Sequence, residues 1–207
     1  MHDIAVASGY LGAALGVGMV VPQIVRTFRN RDLPGVSALS WALTATACLA
    51  WLLYGVRARE IPQIPGNIFI VSGAAVIVLA VPSALSVGAR SVRLAGAAAV
   101  LIAAATVLPP SYIGYLGFVI GLSASWPQTI RSLARAHEPD SAVSVSAWVL
   151  RAGAQAAWLY YAVVMHDLTV TIAASVTLCS AVVLLYIETR RRGAVFTPRL
   201  EACESAA

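Results

Sequence analysis

The 207-residue chain is 59% apolar and 11% charged, and its net charge of +5 rests on 14 basic residues, all of them Arg. An apolar share well above the roughly 45–50% of soluble domains, with a mean hydropathy of +0.81, excludes an ordinary soluble fold. The absence of Lys excludes a retinal protein, which needs a membrane-embedded lysine for its Schiff base. Three Cys with no CxxC or Cys/His ligand spacing indicate neither a disulfide framework nor a metal site, and no cofactor is expected.

Seven apolar runs lie at about residues 4–25, 38–56, 61–81, 92–108, 112–130, 143–165 and 168–187. Each approaches the roughly 20 residues that cross a bilayer core, so the chain reads as an all-α membrane protein with seven transmembrane helices. Residues 1–8 lack a basic n-region and the first run carries a repeated motif, so no signal peptide is expected.

In the first run Gly9, Gly12 and Gly16 recur at i, i+3 and i+7, a small-residue stripe for close helix packing. Pro22 and Gln23 stand near its end. A proline inside a helix removes one backbone bond and clashes with the preceding turn, at about 3 kcal/mol in soluble helices. In a membrane the freed carbonyl must find another donor, for which the adjacent Gln is suited, and the pair reads as a hinge. The second run has a polar side of Ser37, Thr44, Cys48 and Trp51 and ends at Tyr54, with Arg57, Arg59 and Glu60 in the turn beyond. Pro62 and Gln63 open the third run, where Pro is at ease as a helix start and not a hinge. Asn67 is a lone amide in that run, expected to point inward.

The fourth run is the weakest, with 15 residues between Arg93 and Pro109. It is expected to start among Ser91–Arg93 with its Arg side chains snorkelling to the headgroups. The fifth repeats the first, with Gly114, Gly117, Gly121, Pro127, Gln128 and Arg131. In the sixth, Ser144, Arg151, Gln155 and Trp158 are spaced by 7, 4 and 3, one side of a 3.6-residue helix. Such a side cannot face lipid, so it should line the bundle interior or a water-filled cavity. Tyr161, His166 and Asp167 follow it. Tyr54, Glu60, Tyr161 and Asp167, with the nearby Arg and His, are expected to form a gate of opposed charges around an outer rim.

The duplication is explicit. A shift of 105 matches 8 of 18 residues from Gly9 to Arg26, and a shift of 107 matches 11 of 23 from Pro34 to Val56. Apolar helices resemble one another by chance in Ala and Leu, not in aligned Pro-Gln, Trp and Tyr. Residues 4–82 and 112–188 are thus two three-helix units, residues 90–109 a linker helix, and residues 189–207 a cytoplasmic tail. An odd helix count would invert a directly joined copy; the linker restores the orientation, giving two parallel three-helix bundles in a 3+1+3 arrangement. Placing the segments after the first, fifth and seventh runs and before the fourth on one side puts eleven Arg there and two opposite. By the positive-inside rule the N-terminus is outside and the C-terminus cytoplasmic. The Arg-only basic set and the abundance of Ala and Gly point to a GC-rich genome and a bacterial inner (plasma) membrane.

These residues resemble the PQ-loop superfamily, most closely its SWEET and SemiSWEET sugar-transporter branch, over nearly all of residues 4–188. The paired Pro-Gln motifs, Val36-Ser37 and Val143-Ser144, and the Trp-x-x-Tyr ends carry the resemblance. It implies one central pathway between two bundles, Pro-Gln hinges for alternating access, and a pocket using a second-helix Trp and a third-helix Asn of each unit. Trp51, Asn67 and Trp158 match that pattern. Ala174, with Ser175 beside it, stands where the second Asn would be, and Arg151 has no counterpart.

The leading functional reading is a transporter of a small polar solute, a sugar uniporter working by alternating access. Arg151 leaves open a carboxylate solute or amino acid, with proton coupling, and superfamily relatives leave open a non-transporting receptor or assembly factor. An enzyme is not expected, since His2, His137 and His166 all lie in termini or loops. Substrate contacts are expected from Trp51, Asn67, Trp158, Arg151, Gln155, Thr44 and Cys48. The partners are the solute and the lipid bilayer, with a homo-oligomer left open. No nucleic acid is expected, because Arg gathers at helix ends and not on a patch.

Overall fold

The computed structural model describes the backbone of residues 1–29, 37–134 and 145–204. Within these it describes all side chains except those of Gln23, Arg26, Phe28, Ser125, residues 127–129, residues 131–133 and residues 191–204. The described residues form seven helices: α1 (His2–Arg29), α2 (Ala38–Ala58), α3 (Gln63–Ala80), α4 (Val87–Val107), α5 (Pro110–Ala134), α6 (Val145–Val164) and α7 (Leu168–Glu204). Five of them, α1 to α4 and α7, are by themselves long and apolar enough to cross a membrane. In α5 the comparable apolar stretch is only Pro110–Ala124. In α6, Arg151 and Gln155 break the apolar run, so its place in the membrane comes from the bundle around it.

Within the first unit α3 packs on both α1 and α2; within the second α7 packs on both α5 and α6. Across the units α1 packs on α6 and α2 on α5, contacts that exchange when the copies are interchanged. The 3+1+3 arrangement read from the sequence is therefore the observed one. Large apolar side chains face outward, among them Val92, Val100 and Val107 on α4. That is the distribution a lipid-facing surface requires.

The linker helix differs from expectation at its start. It begins at Val87, capped by Ser86, whose Oγ accepts from the Ala89 N–H at 3.2 Å. Arg90 does not snorkel: it is buried, and Nη1 donates to the carbonyls of Val78 and, at 2.6 Å, Val81 at the C-terminal end of α3. Arg57 does the same at the other end of α4, donating to the carbonyls of Ala105 and, at 2.7 Å, Leu108. A guanidinium satisfies helix-terminal carbonyls and complements the negative end of the helix dipole. The two arginines thereby tie the linker to the first unit.

The turns between the second and third helices of each unit share one geometry. Arg59 and His166, at equivalent positions, have φ of 61° and 56°. The next residues close the helix ends, the N–H of Glu60 donating to Gly55 and that of Asp167 to Ala162, both at 2.8 Å. Such a left-handed C-terminal closure holds the two carboxylates at matched places on one end of the bundle, called here the tyrosine end.

α7 continues as helix to Glu204, beyond the run expected to end near residue 187. Ser144 and the loop positions 30–36 and 135–143, which include Val36 and Val143, lie outside the described residues.

Candidate functional site

A cavity of about 450 Å³ lies between the two units, bounded by α1 to α3 on one side and α5 to α7 on the other. Ligand pockets fall at about 300–1,000 Å³, so a small molecule fits. Thr44, Cys48 and Trp51 line it from α2, Asn67 from α3, and Arg151, Gln155 and Trp158 from α6. All seven residues expected at the site thus share one cavity. The helical stripe on α2 and α6 is its wall.

Four of the chain's five Trp residues face this cavity, because Trp41 and Trp148 join Trp51 and Trp158. Sequence reasoning missed the first pair, although the two are identical residues 107 apart on the same stripes. Gln63 is a second omission. Pro62 does precede the helix start as expected, but the Gln63 side chain is buried and lines the cavity. The Asn67 Nδ2 donates to the Gln63 carbonyl at 2.7 Å, which leaves its amide oxygen as an acceptor. At the position equivalent to Asn67, Ala174 is buried and also lines the cavity.

The glycine stripes seat the cavity's aromatic groups, each against the other unit. A Cβ at Gly12 would stand 2.9 Å from the indole of Trp158, and one at Gly117 would stand 3.2 Å from that of Trp51. Likewise Gly9 faces the Tyr161 ring and Gly114 the Tyr54 ring. Close packing was the expected role, and the surfaces packed are these rings.

Toward the tyrosine end the cavity meets two reciprocal contacts. The Tyr54 hydroxyl donates to Asp167 Oδ2 at 2.6 Å, and the Tyr161 hydroxyl donates to Glu60 Oε2. Each tyrosine binds the acid of the other unit. Asp167 Oδ1 also accepts from the Val170 N–H at 3.0 Å, capping α7. Tyr54 stands edge-on to Trp51 and Tyr161 edge-on to Trp158, with ring centroids 5.6 Å apart in both pairs. A shift of either indole is therefore transmitted to the tyrosine beside it. The basic side chains expected here take no part: Arg57 is bound to α4, while Arg59 and His166 are exposed. Charged hydrogen bonds replace the expected ring of opposed charges.

Of the expected hinge residues, Pro22 lies exposed within α1, which continues through it to Arg29. The side chains of Gln23, Pro127 and Gln128 lie outside the described residues, though the α5 backbone runs through positions 127 and 128 as helix.

Two three-helix units around a central aromatic cavity, with a fourth helix between them and an apolar exterior, define a multi-span membrane protein of a transporter fold. Residues 4–64 match the PQ loop repeat family, so the first unit is a PQ-loop repeat. The solved structure of a eukaryotic SWEET transporter, at 3.7 Å resolution, superposes with a TM-score of 0.77 over 93% of this chain and 99% of that one. At 14% identity the likeness is one of fold. No curated protein sequence matches the chain.

Proposed function

We propose that the protein is a uniporter that carries a small polar solute of the sugar class across a membrane by alternating access. The observation that supports this most is the closure of the cavity at one end by two hydrogen bonds, each of which joins the two units. A gate made only of contacts between units opens when the units rock apart, and the same motion closes the opposite end. The aromatic walls suit the C–H faces of a sugar ring, and polar groups between them suit its hydroxyls. In this reading the tyrosine end is the outer gate, the Arg-bearing ends of α1 and α5 are cytoplasmic, and the structure is closed to the outside.

The purified protein in liposomes should equilibrate a labelled sugar-class solute and exchange it for unlabelled solute. An imposed pH gradient should not drive accumulation above equilibrium, since no Asp or Glu is among the described residues lining the cavity and coupled carriers need such a group within the pathway. Accumulation driven by the gradient would favour a proton-coupled carrier. Binding without flux of any solute would favour a receptor.

Pro22 and Pro127 supply the flexible point of α1 and α5 in this proposal. Replacing both with Ala restores a helix hydrogen bond at each site and stiffens these helices. The double variant should lose several-fold in uptake while retaining solute affinity. Unchanged turnover would leave the prolines as static features.

A further inference from the structure

We infer that the solute carries a carboxylate: the cavity is built for a small polyhydroxylated organic anion, a sugar acid, with the Arg151 guanidinium as its counter-ion. This rests on the transporter reading above and adds the charge of what is carried. Arg151 lies near the middle of α6 and lines the cavity. Its Nε is buried without a hydrogen-bond partner, and its guanidinium carbon lies 5.3 Å from the centre of the Trp148 ring. A cation–π contact of that length is favourable but leaves the donor edge of the guanidinium unused.

Arg57 and Arg90, by contrast, both donate to carbonyls at helix ends. No acidic side chain is among the described residues lining the cavity. A guanidinium within a membrane span is costly unless it is paired. Here the chain offers it a ring face and an open cavity in place of a carboxylate.

The asymmetry of the two units sharpens the reading. The residue equivalent to Arg151 is Thr44, whose hydroxyl donates to the Ser40 carbonyl at 2.9 Å. The cavity thus presents one positive group, on the α6 side, to match one negative charge. Gln155 follows Arg151 by one turn, and the free amide oxygen of Asn67 stands on the opposite unit. Both are suited to hydroxyl groups beyond the carboxylate. An α-amino acid fits less well, because it brings an ammonium that no acidic side chain in the lining meets. A bidentate guanidinium–carboxylate pair in a site screened from water discriminates strongly against the neutral analogue.

The four cavity tryptophans allow the test by intrinsic fluorescence on the full chain, with D-glucuronate and D-glucose as probes. D-Glucuronate should bind the wild type about tenfold or more tightly than D-glucose. The preference should vanish in Arg151→Gln and survive, weakened, in Arg151→Lys, which keeps the charge but loses the planar fork. In liposomes an inside-positive potential should accelerate D-glucuronate uptake and leave D-glucose uptake unchanged. Equal affinity of the wild type for both probes would overturn the inference whether or not the variants fold, as would a preference that persists in Arg151→Gln. Anion-selective binding with no flux of either probe would refute the uniporter reading and leave the charge assignment standing.

Discussion

Trp51→Ala and Trp158→Ala should each lower solute uptake more than tenfold while the seven-helix bundle still assembles. The two indoles enter the cavity from opposite units, one on α2 and one on α6. An indole offers on the order of 150–250 Å² of surface. At about 25 cal/mol per Å², withdrawing half of that area from the solute costs about 2 kcal/mol. Every 1.4 kcal/mol or so is tenfold in affinity. Both rings also touch the gate tyrosines, so turnover should fall along with affinity. Phe at either position keeps a flat face and should restore part of the activity. Size-exclusion behaviour and uptake measured side by side separate this from misfolding. Wild-type uptake in both Ala variants would refute a solute site between the tryptophans.

A double Tyr54→Phe, Tyr161→Phe variant should open the tyrosine end. Each hydroxyl donates to a carboxylate on the other unit, and a hydrogen bond to a charged group contributes about 1.5–3 kcal/mol. Losing both shifts the balance against the closed state by about 3 kcal/mol or more, on the order of a hundredfold in population. The ring faces remain, so the aromatic contacts with Trp51 and Trp158 survive. Cys48 lines the cavity and reports the opening in a background in which Cys179 and Cys203 are replaced by Ser. A membrane-impermeant thiol reagent applied from the tyrosine side should label Cys48 at least about tenfold faster in the double variant than in its parent. Uptake should fall at the same time, because a carrier that closes poorly on one side completes fewer cycles. Equal labelling rates would show that the two hydrogen bonds do not hold this end shut.

The sequence alone determined the architecture and the cavity wall. Both are local or periodic properties. Apolar length selects spans, the shift of 105 to 107 residues exposes the duplication, and a 3.6-residue stripe from Thr44 to Trp51 or from Arg151 to Trp158 marks one face that lipid cannot touch. Trp41 and Trp148 sat on the same stripes and were legible by the same rule, had the repeat been searched for identical aromatics. Arg90 and Arg57 were not legible, because snorkelling and helix-end binding draw on the same residue at the same distance from a span end. Only the packing of α4 against α2 and α3 distinguishes them.

The partner of each gate and glycine residue was likewise decided in three dimensions. Tyr54 and Glu60 lie six residues apart in one unit, yet each binds across to the other unit, to Asp167 and Tyr161. Gly12 and Gly117 seat tryptophans that lie 146 positions later and 66 earlier in the chain. Periodicity reports which side of a helix is polar or small. It carries no information about which copy that side will face. That follows from α1 packing on α6 and α2 on α5, an arrangement in which each unit completes the site of the other.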